Sequence, residues 1–440
     1  MSESLSRGAR VRPERDEPST PQEVTAFVRR NLGRNMAAGI VDAVFVALAS
    51  QIISNETVIP LLVTRLGGSA VILGLVGALH NLGHFLPQLL MAGPTEERRY
   101  KKLMCFVWGG GGRLPFFAIG LAILLWGEAA PGLALTAFVA LRSLAALSMG
   151  MIIPAWVTLI GKVIPTTRRG VFLGFGRGLG AMLGVGGALL AGHLLETQPY
   201  PLNFALCFML SAVAMVISWL GLAAHREPPD LVVKPRTPLA RSLARLPGMV
   251  RGDANFRRFL SSRAVAMLGT MATSFVIVYG SQRFVVSGRD VGLLTATISV
   301  CQGVFYLLWG GIADRIGHKA VLCIGTLALA GASLVALATP VIGGLYVAFG
   351  LVGAALSSDA ISGGNIVLEF APEEERPTYI GLTNTLLAPC RTLAPILGGM
   401  LATAIGFPGL FGIAAALSVG GALLMMVQVR EPRTLRSSIM

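Results

Sequence analysis

Carboxylates and guanidinium groups recur inside long apolar stretches of this 440-residue chain, where charge is costly and needs a partner or a water-filled cavity. Asp42, Glu56, His80, His84, Arg113, Arg142, Arg177, Asp359 and Arg391 all occupy such stretches. At about 1.5 Å rise per residue, Arg113, Arg142 and Arg391 fall roughly 15–20 Å from the predicted helix ends, near the middle of a bilayer. Glu56 and Arg142 come out at similar depth and are expected to pair. A deep carboxylate beside an arginine suits proton carriage, because burial favours the neutral acid, the cation favours the anion, and conformational change alters that balance. Asp42 and Asp359 are alternatives, both nearer the cytoplasmic third of the membrane; each acid is either a coupling or substrate group or one half of a structural ion pair. Three arginines at midplane outnumber the carboxylates there, which favours an anionic or zwitterionic substrate held by guanidinium forks. The candidate substrate and proton groups are therefore Asp42, Glu56, His80, Arg113, Arg142, Asp359 and Arg391.

Other patterns are weaker. His80 and His84 share a helix face at i, i+4 spacing, but no third ligand accompanies them, so no metal site is expected and packing in a cavity wall is the plainer reading. Asn55-Glu56-Thr57 is formally a glycosylation sequon inside a predicted span and reads as polar helix content. Glycine runs such as Gly109–Gly112 lie in spans, where small residues let helices approach. No G-x-x-x-x-G-K-[ST] loop follows a strand, so neither ATP nor another cofactor is implied. No nucleophile–base pair or metal cluster suggests an enzyme.

The elements that position these groups follow from composition. Apolar residues make up 54% and charged residues 13% of the chain, and mean hydropathy is +0.70, a membrane composition. Spans are predicted at roughly 37–64, 70–93, 103–126, 132–154, 171–193, 203–224, 260–282, 290–313, 320–339, 342–366, 379–402 and 406–429. The net charge of +14 is scattered among connectors rather than striped on one face, which argues against nucleic acid as a partner. Arginine and lysine collect in the N-terminal segment, at 98–102, at 162–169 and in 225–259, while the alternate loops hold Arg65, Arg283 and Arg289. This bias predicts an even span count with both termini cytoplasmic. The five cysteines fall within spans and form no disulfide framework.

The chain divides into a cytoplasmic tail (1–35), an N-terminal six-helix bundle (36–224), a basic, Pro-rich cytoplasmic linker (225–259), a C-terminal six-helix bundle (260–430) and a short tail (431–440). The linker's charge serves either as a topology signal or as an attachment to anionic lipid. A repeat supports the division: Pro165, Arg169 and Gly174 recur as Pro372, Arg376 and Gly381, and Gly192 and Gly399 match at the same offset.

Gly310-Gly-Ile-Ala-Asp314-Arg315-Ile-Gly317-His-Lys319 resembles the G-x-x-A-D-R-x-G-x-K loop signature of the major facilitator superfamily. Its counterpart, Gly93-Pro-Thr-Glu-Glu97-Arg98-Arg-Tyr100-Lys-Lys102, has Glu97 in place of Asp and Tyr100 in place of the second Gly. Residues 391–399 are similar to an antiporter G-P-x-x-G-G pattern, but in span 11 and with Ala394 for the first Gly. The resemblance implies an all-α polytopic fold of about twelve helices in two pseudo-symmetric bundles, and alternating access. It also implies that Asp314 approaches the start of span 5 near Gly170–Phe172, and Glu97 the start of span 11 near Thr378–Ile380, as latches of an outward-facing state; a tight solvated turn is the alternative. Glu97, Arg98, Arg169, Asp314, Arg315, Lys319 and Arg376 are the gating candidates. The expected protein is a multi-pass integral protein of a bacterial inner (plasma) membrane, monomeric, in contact with lipid, moving a small-molecule substrate with protons as coupling ion. A sensor that keeps a transporter fold without sustained flux is the competing reading.

Overall fold

The computed structural model describes residues 17–232, 252–371 and 376–433, together with Gly248. Most of the basic linker, both chain ends and residues 372–375 of the repeat lie outside them, as do the side chains of 376–378, so Arg376 is placed only as the first residue of a helix.

All described regular structure is helical: α1 (Pro21–Ile52), α2 (Val58–Arg65), α3 (Ala70–Glu96), α4 (Lys102–Arg113), α5 (Pro115–Trp126), α6 (Pro131–Val163), α7 (Thr166–Thr197) and α8 (Leu202–Ala223), then α9 (Ala254–Leu268), a 3₁₀ turn (Gly269–Phe275), α10 (Val276–Arg283), α11 (Gly288–Ile316), α12 (His318–Ala338), α13 (Gly343–Ser362), α14 (Asn365–Phe370) and α15 (Arg376–Gln428). Among the described residues, eleven segments are long and apolar enough to cross a membrane. The last, Tyr379–Gln428, is helical apart from Gly406, whose φ of 74° lies in the left-handed region that glycine alone adopts freely. Run straight, its 50 residues would reach about 75 Å, more than twice a hydrocarbon core of about 30 Å. The turn at Gly406 makes it two spans, so the described residues hold twelve, the number expected.

Local chemistry sets the boundaries. Thr20 and Glu23 form a capping box around Pro21, so the first helix begins well inside the stretch expected to be an N-terminal tail. Ser69 caps α3, Asp253 caps α9, and Ser287 with Asp290 boxes the start of α11. Outward faces carry large exposed apolar side chains such as Met182, Leu307 and Val427, which suit a lipid solvent.

Helices before residue 224 pack chiefly among themselves, as do those after 254. Two long seams join the sets, α3 along α15 and α7 along α11. At one end these seams close on glycine. A Cβ on Gly192 would lie 2.6 Å from Cα of Gly292, one on Gly399 would strike the backbone of Ala70, and one on Gly74 the carbonyl of Pro395. Thr57 and Thr295 also bridge the sets there, with hydroxyl oxygens 2.6 Å apart. This closed end is the far face. The opposite end, the tail face, carries the start of α1 and the 97–101, 163–166 and 429–433 connectors. Towards it α7 and α11 separate around a cleft of about 350 Å³ lined by Arg177, Gln302 and Tyr306.

Candidate functional site

The first span of each set is interrupted. Residues 53–57 break α1 from α2, and the 3₁₀ turn 269–275 breaks α9 from α10. Interrupted helices at matching positions of a repeat expose polar groups where the two halves meet. Asn55 and Glu56 from the first break, and Thr270, Thr273 and Ser274 from the second, line a central cavity of about 360 Å³. His80, Asn81, Arg263, Ser358, Asp359 and Arg391 share the wall, with Leu73, Val76, Leu329 and Leu356 as apolar surface.

Three charge clusters lie in or near this space. In the first, Asp42 accepts from Arg113 Nη2 at 2.9 Å, from Ser218 Oγ at 2.6 Å and from Trp156 Nε1 at 3.0 Å. Arg113 also donates to Ser218 and to the Gly109 carbonyl. Arg113 and Asp42 are 2% and 4% exposed, and neither lines the cavity. Both were candidates for substrate binding; here they bond each other and Ser218, a clamp joining α1, α4 and α8.

The second cluster corrects the expected Glu56–Arg142 pair. Arg142 Nη2 donates to Asn55 Oδ1 at 2.7 Å, and its guanidinium lies 5.5 Å from the Phe116 ring centre. Glu56 accepts from Ser54 Oγ at 3.0 Å. The bend at 53–57 turns adjacent residues differently, so Asn55 takes the arginine while Glu56 faces the cavity. Asn55, expected as polar helix content, lies in the break and holds the arginine. His80 and His84 stack with ring centres 6.3 Å apart, and no group of three metal-ligating side chains gathers among the described residues. Nδ1 of His80 is buried at the cavity wall without a hydrogen-bond partner among the described residues.

The third cluster joins Asp359 on α13 to two arginines. Arg263 on α9 bonds one carboxylate oxygen, and Arg391 on α15 approaches the other at 3.4 Å. Arg391 also lies over the Phe85 ring at 4.9 Å, and its carbonyl accepts from Asn81 across the α3–α15 seam. The side chains of Arg391 and Asp359 are 26% and 43% open to the cavity. Arg263 was missed in the sequence because the predicted seventh span started only three residues before it. Arg177, on the other seam, lies 5.6 Å from the Tyr306 ring centre.

The gating candidates sit at the tail face. Glu97, Arg98, Asp314 and Arg315 are exposed. The Arg98 carbonyl accepts from Lys101, and that of Asp314 from Arg433 at 2.9 Å. No hydrogen bond or ion pair among the described residues links the Asp314 carboxylate to α7 or that of Glu97 to α15. Arg169 donates to the carbonyls of Ile164 and Gly161, closing the C-terminus of α6, and Lys319 donates to those of Met426 and Val429, closing α15.

A second repeat appears at this face. Arg226-Glu227-Pro228 follows α8 and Arg430-Glu431-Pro432 follows α15. Asn35 and the Arg226 backbone exchange two hydrogen bonds, and Asn255 and the Arg430 backbone do the same. Glu227 accepts from the amides of Lys101 and Lys102 at the start of α4 and from Lys162 Nζ at 2.7 Å. The carboxylate of Glu431 packs on Gly317 at the start of α12. The same tripeptide thus anchors corresponding helix starts in both halves.

Residues 259–439 match the sequence profile of the Major Facilitator Superfamily. The whole bundle superposes on the crystal structure of a D-xylose–proton symporter with a TM-score of 0.68 and 14% identity, covering 93% of this chain and 99% of that one. The C-terminal set is thus similar in sequence to the major facilitator superfamily, and the chain as a whole has that superfamily's fold. Among curated relatives, an uncharacterised MFS-type transporter of Methanocaldococcus jannaschii is 22% identical over 353 residues, 78% of this chain and 83% of the relative. The quinolone resistance protein NorA of Staphylococcus aureus is 22% identical over 156 residues, 33% of this chain and 38% of NorA. The alignment therefore spans well under half the length of NorA. The long apolar helices make the chain a multi-pass integral membrane protein, and the two-set architecture of its described residues is that of the superfamily fold.

Proposed function

We propose that the protein is a secondary transporter that moves a small solute by alternating access, driven by protons, with the solute held in the central cavity. One observation supports this above others: the cavity lies between two helix sets that close on glycine at the far face and part at the tail face. Rocking residues 36–224 against 260–430 would open the glycine seams and close the α7–α11 cleft. The basic connectors support a tail face in the cytoplasm of a bacterial inner membrane, and on that reading this is the inward-facing state. The exposed position of Asp314 and Glu97 fits latches released in that state.

Glu56 is the proposed proton carrier, because it faces the cavity at a helix break beside Arg142. Its exchange of Ser54 for Arg142 as partner would couple protonation to the rocking of α1. Uptake and export are both compatible with this geometry, and the D-xylose–proton symporter supplies a structural parallel for proton drive. The test is solute flux in proteoliposomes with and without an imposed pH gradient. Glu56→Gln is expected to retain counterflow but lose acceleration by the gradient, and Arg142→Ala to lose both. Absence of gradient-responsive flux for every solute tried would overturn the proposal.

A further inference from the structure

We infer that the central cavity selects small amphipathic organic anions through Arg391 and Arg263, with Asp359 as an internal stand-in for the ligand's anionic group. The inference rests on the proposed role of the cavity as the ligand site, and it does not require flux.

Net charge sets the preference. Glu56, Arg263, Asp359 and Arg391 line the cavity, and Arg142 stands directly behind Asn55, so cations exceed carboxylates by one when Glu56 is ionised and by two when it is protonated. The Asp42–Arg113 pair is closed on itself and cancels. A surplus guanidinium in a membrane interior needs an anion, and the protein supplies too few.

Geometry locates the free capacity. Asp359 is shared by two arginines: Arg263 holds one oxygen closely, and Arg391 only approaches the other at 3.4 Å. Arg391 is backed by the Phe85 ring and lines the cavity with it. A ligand carboxylate or phosphate that pairs with Arg391 replaces a long contact with a two-point one. The same three residues also border a second cavity of about 220 Å³ towards the tail face, lined by Thr383, Asn384 and Ile380. Thr383 Oγ1 is buried there without a hydrogen-bond partner among the described residues. The arginine–aspartate group therefore forms part of the wall of both cavities. Leu73, Val76, Leu329 and Leu356 then offer an apolar wall to the rest of the molecule, and His80 Nδ1 offers one more polar contact.

The test uses full-length protein in which Cys301 and Cys390, the two half-buried cysteines, are replaced by Ala and a thiol is introduced at the exposed cavity residue Thr270 by Thr270→Cys. Reaction rates with an anionic sulfonatoethyl and a cationic trimethylammonioethyl methanethiosulfonate are each divided by the rate on free cysteine. The anionic reagent is expected to be favoured by about tenfold or more, the scale of enrichment in a charged cleft. Arg391→Gln is expected to lower the ratio, Arg391→Lys to restore part of it, and Asp359→Asn to raise it. Opposite shifts from two changes at one cluster separate charge selection from a folding defect. Hexanoate is expected to protect the introduced thiol at lower concentration than acetate or hexanol.

A ratio near one, a preference for the cation, or a ratio indifferent to both Arg391→Gln and Asp359→Asn overturns the inference. Equal protection by hexanoate and hexanol, or none by hexanoate, overturns its organic-anion part. Since labelling reads access and binding alone, a protein that passes here yet shows no flux would refute the transport proposal and leave the anion site standing.

Discussion

Gly192 and Gly292 face each other so closely that a Cβ on either would lie within 2.6–2.7 Å of the other's Cα, and this contact is where α7 meets α11 at the far face. Gly399, the repeat partner of Gly192, meets Ala70 in the equivalent place on the other seam. Both glycines are thus closure points between the halves. Gly192→Leu is expected to wedge the far face open while leaving each helix set folded. A cysteine placed at Leu73 should then react at least about tenfold faster with a thiol reagent applied from the far side, a shift of about 1.4 kcal/mol in the conformational equilibrium. Unchanged labelling in a stable Gly192→Leu protein would show that the seam is not a gate.

Asp42 and Arg113 carry a different expectation, because their partners are internal. Asp42→Asn leaves Arg113 buried without its carboxylate and is expected to destabilise the N-terminal set by about 3–5 kcal/mol. The double change Asp42→Leu with Arg113→Met should cost much less, since it removes both charges together. Thermal unfolding in detergent checks both variants. If the single and double changes cost the same, the pair is not a clamp.

Much of the fold was legible because a membrane span announces itself locally: each needs only its own apolar length, and the connectors carry their own charge bias. Ser287, Ser69 and Asp253 likewise cap helices by rules confined to a few residues. The site was less legible because it depends on how helices bend and which faces meet. Glu56 and Arg142 share a depth, yet the break at 53–57 gives Arg142 to Asn55. Arg263 lies only three residues inside the predicted seventh span, too near its end to look deep, but α9 begins at Ala254 and carries it to Asp359. The Arg-Glu-Pro repeat was visible in the sequence, though its meaning required seeing Glu227 accept from the amides that start α4.

Glu431 makes stability depend on pH in a direction its surroundings fix. Burial, reinforced by the nearby Glu369 carboxylate and opposed by Lys319, raises its pKa from an ordinary 4.5 to about 7. The folded protein therefore binds a proton that the unfolded chain has lost between those values. Its stability falls as pH rises from about 4.5 through about 7 and is flat above, where the carboxylate is ionised in both states. Glu431→Gln is expected to remove this slope, leaving the variant more stable than the parent at pH 8 and little different at pH 4.5. Melting temperatures across that range check it; a parallel fall with pH in both proteins would assign the slope to other groups.

Arg142 must release Asn55 if Glu56 is to be its partner in another state. At present this neutral amide holds the guanidinium at 2.7 Å, a bond weak enough to exchange. Asn55→Asp would turn that bond into a charge-assisted pair worth about twice as much. Arg142 should then stay with residue 55, and proton-driven flux should fall about tenfold or more, because roughly 1.4 kcal/mol is added to the step that changes partners. Binding of the solute from the tail side should fall less than flux, since Arg263 and Arg391 still contact it although the new carboxylate cancels the cavity's surplus charge. Equal losses of flux and binding in Asn55→Asp would mean that Arg142 holds the cavity in shape without exchanging partners, and the coupling role of Glu56 would then have to act through Ser54 alone.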